Sequence, residues 1–99
     1  MRYDIVSYNK NLSPNKQTVI GDLDKARKIA CEISKKAGFR KFNSVSIKNP
    51  SRPAWDSIGE VWMNGIDSFA YVSGRAGEGI IWNVNPKTGK LTRKIGYLE

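Results

Sequence analysis

The chain has 99 residues, which suits one small domain, and its 39% hydrophobic and 26% charged residues are the balance of a soluble globular protein. It has no histidine and one cysteine, Cys31, which excludes Ser/His/Asp triads, histidine-ligated metal sites and an intramolecular disulfide. Seventeen basic against nine acidic residues leave a net charge of +8, which favours a polyanionic partner. We expect a single domain over residues 1–99.

The positive charge is concentrated in the first half of the chain. Residues 1–50 carry eleven basic and four acidic side chains, whereas residues 51–99 carry six and five. The alternative interpretation is that the net positive charge serves only to keep the protein soluble. No apolar run approaches the roughly 20 residues that span a bilayer, and the first ten residues lack the apolar stretch of a signal peptide. We therefore expect a cytoplasmic protein without a membrane partner.

The first third of the chain predicts a strand, a loop and a helix. Tyr3 to Tyr8 is rich in aromatic and β-branched residues and predicts the strand. The polar stretch that follows, which contains Pro14, predicts a loop, with a brief extended segment from Thr18 to Ile20.

Asp22 is the predicted N-cap of the helix, Asp24 lies in its first turn, and Lys35 and Lys36 precede a stop at Gly38. The apolar residues of this helix fall on a stripe about 120° wide, the width of a face that packs on a core. They are Leu23, Ala26, Ile29, Ala30, Ile33 and Ala37, with Ile29 and Ile33 near the centre.

The remaining two thirds of the chain predict short strands. They are Phe42 to Lys48, Ile58 to Met63, Ile66 to Ser73, Ile80 to Val84 and Leu91 to Ile95. The dipeptide Asn64-Gly65 predicts a two-residue type I′ hairpin between the second and third of these strands, and NPKTGK predicts a longer hairpin loop between the last two. The order predicts an α+β fold, with one amphipathic helix packed on a mainly antiparallel sheet of about five to six strands.

The polar face of the helix supplies most of the candidate partner-binding cations. Two pairs of opposite charge at i,i+4 can stabilise the helix, Asp24 with Lys28 and Glu32 with Lys36. The alternative interpretation is therefore that this charged face is only exposed to solvent and binds no partner. Cations with no local partner are better candidates, because they can pair with phosphates or with a row of carboxylates. The cations that we expect to contact a partner are Lys25, Lys28, Lys35, Arg40 and Lys41.

Aromatic residues around the predicted hairpin form a candidate stacking surface. A two-residue turn at Asn64-Gly65 would place Trp62, Phe69 and Tyr71 on one side of the sheet. If these rings are exposed, they can stack on unpaired bases. If they are buried, they belong to the core.

The sequence offers little for catalysis or for a cofactor. The glycine-rich segment Ser73 to Gly79 joins two strands and lacks the Walker Lys-Ser/Thr pair, so only its Arg75 is a candidate partner contact. Asp56, Glu60 and Asp67 are the carboxylates that a metal-dependent nuclease would use, but their spacing does not support such a site. We therefore expect a protein that is not an enzyme, with no cofactor and no metal.

The helix motif from Leu23 to Ala30, LDKARKIA, lies between a first strand and a series of short strands. In this layout the chain resembles small phage-encoded inhibitors of the anti-CRISPR type. The resemblance implies a protein that binds a CRISPR nucleoprotein effector in the host cytosol and sterically blocks access of nucleic acid. The alternatives are a basic module that binds DNA or RNA directly and a phage structural or assembly component.

Overall fold

The computed structural model describes residues 1–8, 14–37, 44–53, 55–73 and 79–97. Within these residues one helix packs on a seven-stranded antiparallel sheet, so the predicted α+β class and the predicted helix-on-sheet arrangement are confirmed. The strands are β1 (Arg2–Tyr8), β2 (Pro14–Ile20), β3 (Val45–Lys48), β4 (Ser57–Gly65), β5 (Ser68–Ser73), β6 (Ile80–Val84) and β7 (Leu91–Tyr97), and the helix is α1 (Leu23–Ala37).

The order of strands across the sheet is β2-β1-β3-β4-β5-β6-β7. Five of the six strand pairs therefore join consecutive strands, and the exception is β1 with β3. The described sheet has more strands than predicted because β2, taken from the sequence as mostly loop, pairs with β1 from Pro14 to Ile20. This strand was missed because it lies at the edge of the sheet, where Val19 is buried, residues 15–18 and 20 are exposed, and no apolar alternation is required.

The helix begins where the sequence predicted, because Asp22 Oδ1 accepts a hydrogen bond of 2.9 Å from the backbone N–H of Lys25. The predicted stop, Gly38, lies outside the described residues. The buried face is rotated from the predicted stripe, and its fully buried residues are the small side chains Ala26, Ala30, Cys31 and Ser34. Small residues let the helix backbone approach the sheet closely. The expectation that Ile29 and Ile33 lie centrally was therefore wrong, since both pack only partly buried at the margin of the core.

The core lies between α1 and one face of the sheet. Each strand from β1 to β6 contributes side chains to this core. Its strand residues are Tyr3, Ile5, Val19, Val45, Ile47, Val61, Phe69, Tyr71 and Val84. A smaller cluster of Trp62, Ala70 and Val72 lies on the opposite face, against Ile81.

The hairpin between β4 and β5 differs from the predicted one. Gly65 pairs with Ser68, so the turn is made by Ile66 and Asp67, and Asp67 adopts the left-handed region with a φ of 53°. The pairing of Met63 with Phe69 explains the shift. A turn at Asn64-Gly65 would have moved Phe69 to the other face of the sheet, because slipping the register by an odd number of residues inverts every side chain. Burial of Phe69 against α1 outweighs the local turn preference.

Candidate anion-binding surface

The three predicted stacking residues are buried, so that prediction was wrong. Trp62, Phe69 and Tyr71 are 5%, 2% and 5% exposed. They also do not share a face, because Trp62 pairs with Ala70 while Phe69 and Tyr71 lie on the α1 side. In a chain this small these rings are needed to fill the interior.

The predicted helix cations are placed on the surface, but they are not free of local partners. Lys28 pairs with Glu32 at 3.3 Å, and Lys35 pairs with Asp67 of the β4–β5 turn at 2.8 Å. Lys25 donates through Nζ to the backbone oxygen of Ile20 at 2.9 Å. The expectation that Lys25 and Lys35 lack local partners was wrong, and Lys28 pairs with Glu32 instead of the expected Asp24, which pairs with Arg27. The other three predicted contacts, Arg40, Lys41 and Arg75, lie outside the described residues.

The surface around α1 is therefore nearly neutral. The helix carries five cations, but its carboxylates, its N-cap and the turn that pairs with it supply four negative charges. The cations are Lys25, Arg27, Lys28, Lys35 and Lys36, and the carboxylates are Asp22, Asp24, Glu32 and Asp67. The field of such a face is weak, because opposite charges lie within a few ångströms of one another.

The β6–β7 hairpin carries a cluster of positive charge that no carboxylate within its described residues offsets. Residues 79–97 contain four exposed cations and no Asp or Glu. The cations are Lys87, Lys90, Arg93 and Lys94. The net charges of the two chain halves do not reveal this cluster. In the net charge of residues 51–99, carboxylates between residues 56 and 78 and at residue 99 offset its cations. A narrower window along the sequence would have found it.

The loop of this hairpin is fixed by its own hydrogen bonds. Asn85 accepts from the N–H of Gly89 at 2.7 Å and donates its own N–H to the oxygen of Lys90 at 2.9 Å. Its side-chain oxygen accepts from the N–H of Lys87 at 2.9 Å. Gly89 has a φ of 77°, which side chains rarely allow. Lys87 and Lys90 are therefore presented from an ordered turn.

Arg27 joins the hairpin loop to the helix. Its Nε donates to the backbone oxygen of Gly89 at 2.7 Å, its guanidinium pairs with Asp24, and it lies 5.2 Å from the centroid of the Tyr71 ring. The residue is 7% exposed, so a buried cation is satisfied on three sides. A Cβ built on Gly89 would lie 1.7 Å from the oxygen of Asp24, which shows how closely the loop approaches the helix.

Two aromatic residues of the hairpin lie beside its cations. Trp82 pairs with Lys94, and Ile80 pairs with Tyr97, so both rings are on the same side of the sheet as α1. Tyr97 is 62% exposed, and Trp82 is partly exposed. The Lys94 ammonium lies 4.5 Å from the centroid of the Tyr97 ring. Among the described residues of strands β4 to β7, the accessible rings thus lie on β6 and β7 and not on β4 and β5.

The carboxylates considered for a nuclease are engaged separately. Asp56 pairs with Arg52 at 2.9 Å, Glu60 accepts from the hydroxyls of Ser44 and Ser46, and Asp67 pairs with Lys35. Within the described ranges no group of three Asp, Glu, Cys or His side chains is arranged to hold a metal ion.

Cys31 is buried in the core between α1 and the sheet. Burial raises the pKa of its thiol to about 12, an effect that nearby Arg27 opposes and Glu32 reinforces. A thiol with this pKa is neutral at physiological pH and is a poor nucleophile.

Comparison with protein-family models, with curated proteins and with solved structures finds no match for this chain. No helix in the described part of the chain is long and apolar enough to cross a bilayer.

Proposed function

We propose that this protein is a non-catalytic binding protein that docks its β6–β7 hairpin on an anionic macromolecular surface. The observation that carries the proposal is the four exposed cations of residues 79–97, which no carboxylate in that segment offsets. The near-neutral surface of α1 argues against the helix as the main contact, although its lysines were the expected site.

The architecture of the hairpin supports this use. Lys87 and Lys90 lie on a hydrogen-bonded loop, and Arg27 fixes that loop to α1. A rigid display lowers the entropy lost when a partner binds. Clustered cations also accelerate association with an anionic partner, and they make its affinity fall as salt rises.

The resemblance to anti-CRISPR inhibitors supplies a specific form of this proposal. The partner would be a CRISPR nucleoprotein effector in the host cytosol, and the bound hairpin would sterically block access of nucleic acid. Direct binding of free DNA or RNA is the alternative. Neither form requires a cofactor, a metal or a catalytic residue.

Two double charge reversals test which surface binds. Lys87→Glu with Lys90→Glu changes the hairpin, and Lys28→Glu with Lys35→Glu is the control with the same change in net charge. We expect the hairpin variant to lose at least about tenfold in affinity for a guide-RNA-loaded effector, the control to lose less than about threefold, and both to keep the fold, as exposed substitutions do. A larger loss in the control would contradict the proposal.

Binding to random-sequence duplex DNA at several salt concentrations separates the two forms. If all four hairpin cations neutralise phosphates, the logarithmic slope with salt should be about −3.6, and the hairpin variant should reduce it by about two. Tight, strongly salt-dependent binding to free DNA without capture of the effector would contradict the inhibitor and support the nucleic-acid module.

A further inference from the structure

The α1 side of the sheet is not covered equally along its width. The helix packs mainly over β1 to β4, while Trp82 and Tyr97 lie on the same side at the far edge. Among the described residues Tyr97 is one of the few large apolar side chains that are mostly exposed. An aromatic ring that contributes little to the core is available to a ligand.

The register places the two rings as diagonal neighbours. Ile80 faces Tyr97 and Trp82 faces Lys94, with a register shift between these two pairs, so the rings stand diagonally across from each other on adjacent strands. Diagonal neighbours on a sheet are about 7 to 8 Å apart, a distance that consecutive unstacked nucleotides can span. The Lys94 ammonium contacts the Tyr97 ring. Because Tyr97 is 62% exposed, much of its ring surface remains open to solvent.

The charge of the hairpin and its two rings select the same kind of ligand. An acidic protein surface would be attracted by the cations, but it would not require the aromatic rings. Single-stranded nucleic acid uses both, because phosphates pair with cations while bases stack on aromatic side chains. A duplex hides its base faces and could use only the cations.

We propose that the α1-side face of the β6–β7 hairpin is a binding site for single-stranded nucleic acid, with bases stacked on Tyr97 and Trp82 and phosphates at Lys87, Lys90 and Lys94. This inference rests on the proposed function and narrows its anionic partner to an unpaired strand. In a nucleoprotein, that strand is the part that the hairpin contacts.

The test is titration of fluorescein-labelled oligo(dT) and oligo(U) of 15 nucleotides, followed by fluorescence anisotropy at low salt. Loss of one stacked base corresponds to roughly a five- to 150-fold loss of affinity. We expect a loss in this range for Tyr97→Ala and for Trp82→Leu, which keeps an apolar side chain at a partly buried position. Tyr97→Phe should retain binding, since the ring remains.

Trp55→Ala is the matched control, because Trp55 is 83% exposed on the connector between β3 and β4 and does not belong to the hairpin. Equal binding by wild type and Tyr97→Ala would overturn the stacking site, as would an equal loss in Trp55→Ala. Unchanged melting temperatures for Tyr97→Ala and Tyr97→Phe ensure that a difference between them reports contact with the strand.

The failure of this inference can be told from failure of the proposed function. If the Lys87→Glu, Lys90→Glu variant loses binding while Tyr97→Ala does not, the hairpin binds anions but not bases, and an acidic protein surface or duplex backbone is the partner. If the charge reversal also has no effect on any polyanion, the proposed function fails as well.

Discussion

The close approach of the β6–β7 loop to α1 predicts that Gly89→Ala is severely destabilising. The added Cβ would lie 1.7 Å from the backbone oxygen of Asp24 and 2.9 Å from the backbone nitrogen of Lys28. Both obstacles are backbone atoms of α1, so no side chain can rotate to relieve them. The loop must move away from the helix, and the hydrogen bond from Arg27 to Gly89 then breaks.

The expected loss in the free energy of unfolding has two sources. Holding alanine at a φ of 77° costs about 1 to 2 kcal/mol relative to glycine. Loss of a hydrogen bond from a charged, buried donor costs about 1.5 to 3 kcal/mol. We therefore expect a loss of about 2.5 to 5 kcal/mol, a large part of the 5 to 15 kcal/mol by which small proteins are stable.

Equilibrium urea denaturation of wild type, Gly89→Ala and Gly96→Ala measures this loss. Gly96 is the matched control, because it lies in β7 outside the positive-φ region and its added Cβ would meet no described atom within 4 Å. We expect Gly96→Ala to change stability by less than about 0.5 kcal/mol. A Gly89→Ala protein within 1 kcal/mol of wild type would refute the close contact between the hairpin loop and α1.

Three further predictions concern the helix cap, the sheet and the thiol. Asp22→Ala should lower the unfolding free energy by about 1 kcal/mol, while Asp22→Asn should not, because asparagine also caps the N–H of Lys25. Gly59→Ala should destabilise by about 1 to 3 kcal/mol in thermal unfolding, since its Cβ would meet the Tyr71 ring at 2.3 to 2.4 Å, and this cost should shrink in a Tyr71→Leu background. Burial raises the pKa of Cys31 from 9.0 to about 12. The stability that the buried neutral thiol contributes to the fold is therefore present in full below pH 9 and is lost as the pH rises toward 12. The stability difference between wild type and Cys31→Ala should narrow by about 1.4 kcal/mol from pH 8 to pH 10, and an unchanged difference would contradict a buried neutral thiol.

Local signals in the sequence were sufficient for the helix and for several strands. The Asp22 cap and the apolar periodicity defined α1, and β6 was predicted with its observed bounds, Ile80–Val84. These features depend on neighbours within a few residues. The rotation of the buried face toward Cys31 and Ser34 could not be predicted from such neighbours. It depends on how closely small residues let the helix approach the sheet.

Features that depend on distant residues were not predicted. The dipeptide Asn64-Gly65 favours a turn, but the position of the turn was decided by burial of Phe69 beneath α1. The same register buried the rings that were expected to stack. The contact between Arg27 and Gly89 joins residues 62 positions apart, and no local pattern indicates it. The cations of the hairpin were visible in the sequence, but only the fold shows that ion pairs offset the charge of the helix face, whereas no ion pair to a hairpin cation occurs among the described residues.

The position of β1 between β2 and β3 has a consequence for vectorial synthesis. The β1–β2 hairpin and α1 are synthesised before β3, and one side of β1 lacks its hydrogen-bonding partner in the sheet until β3 emerges at residues 45 to 48. From that point each new strand adds to the edge left by the one before it, so the sheet can lengthen without rearrangement. Growth of the described sheet stops at β7, whose exposed Arg93 and Lys94 and two register shifts make it a poor template for another chain.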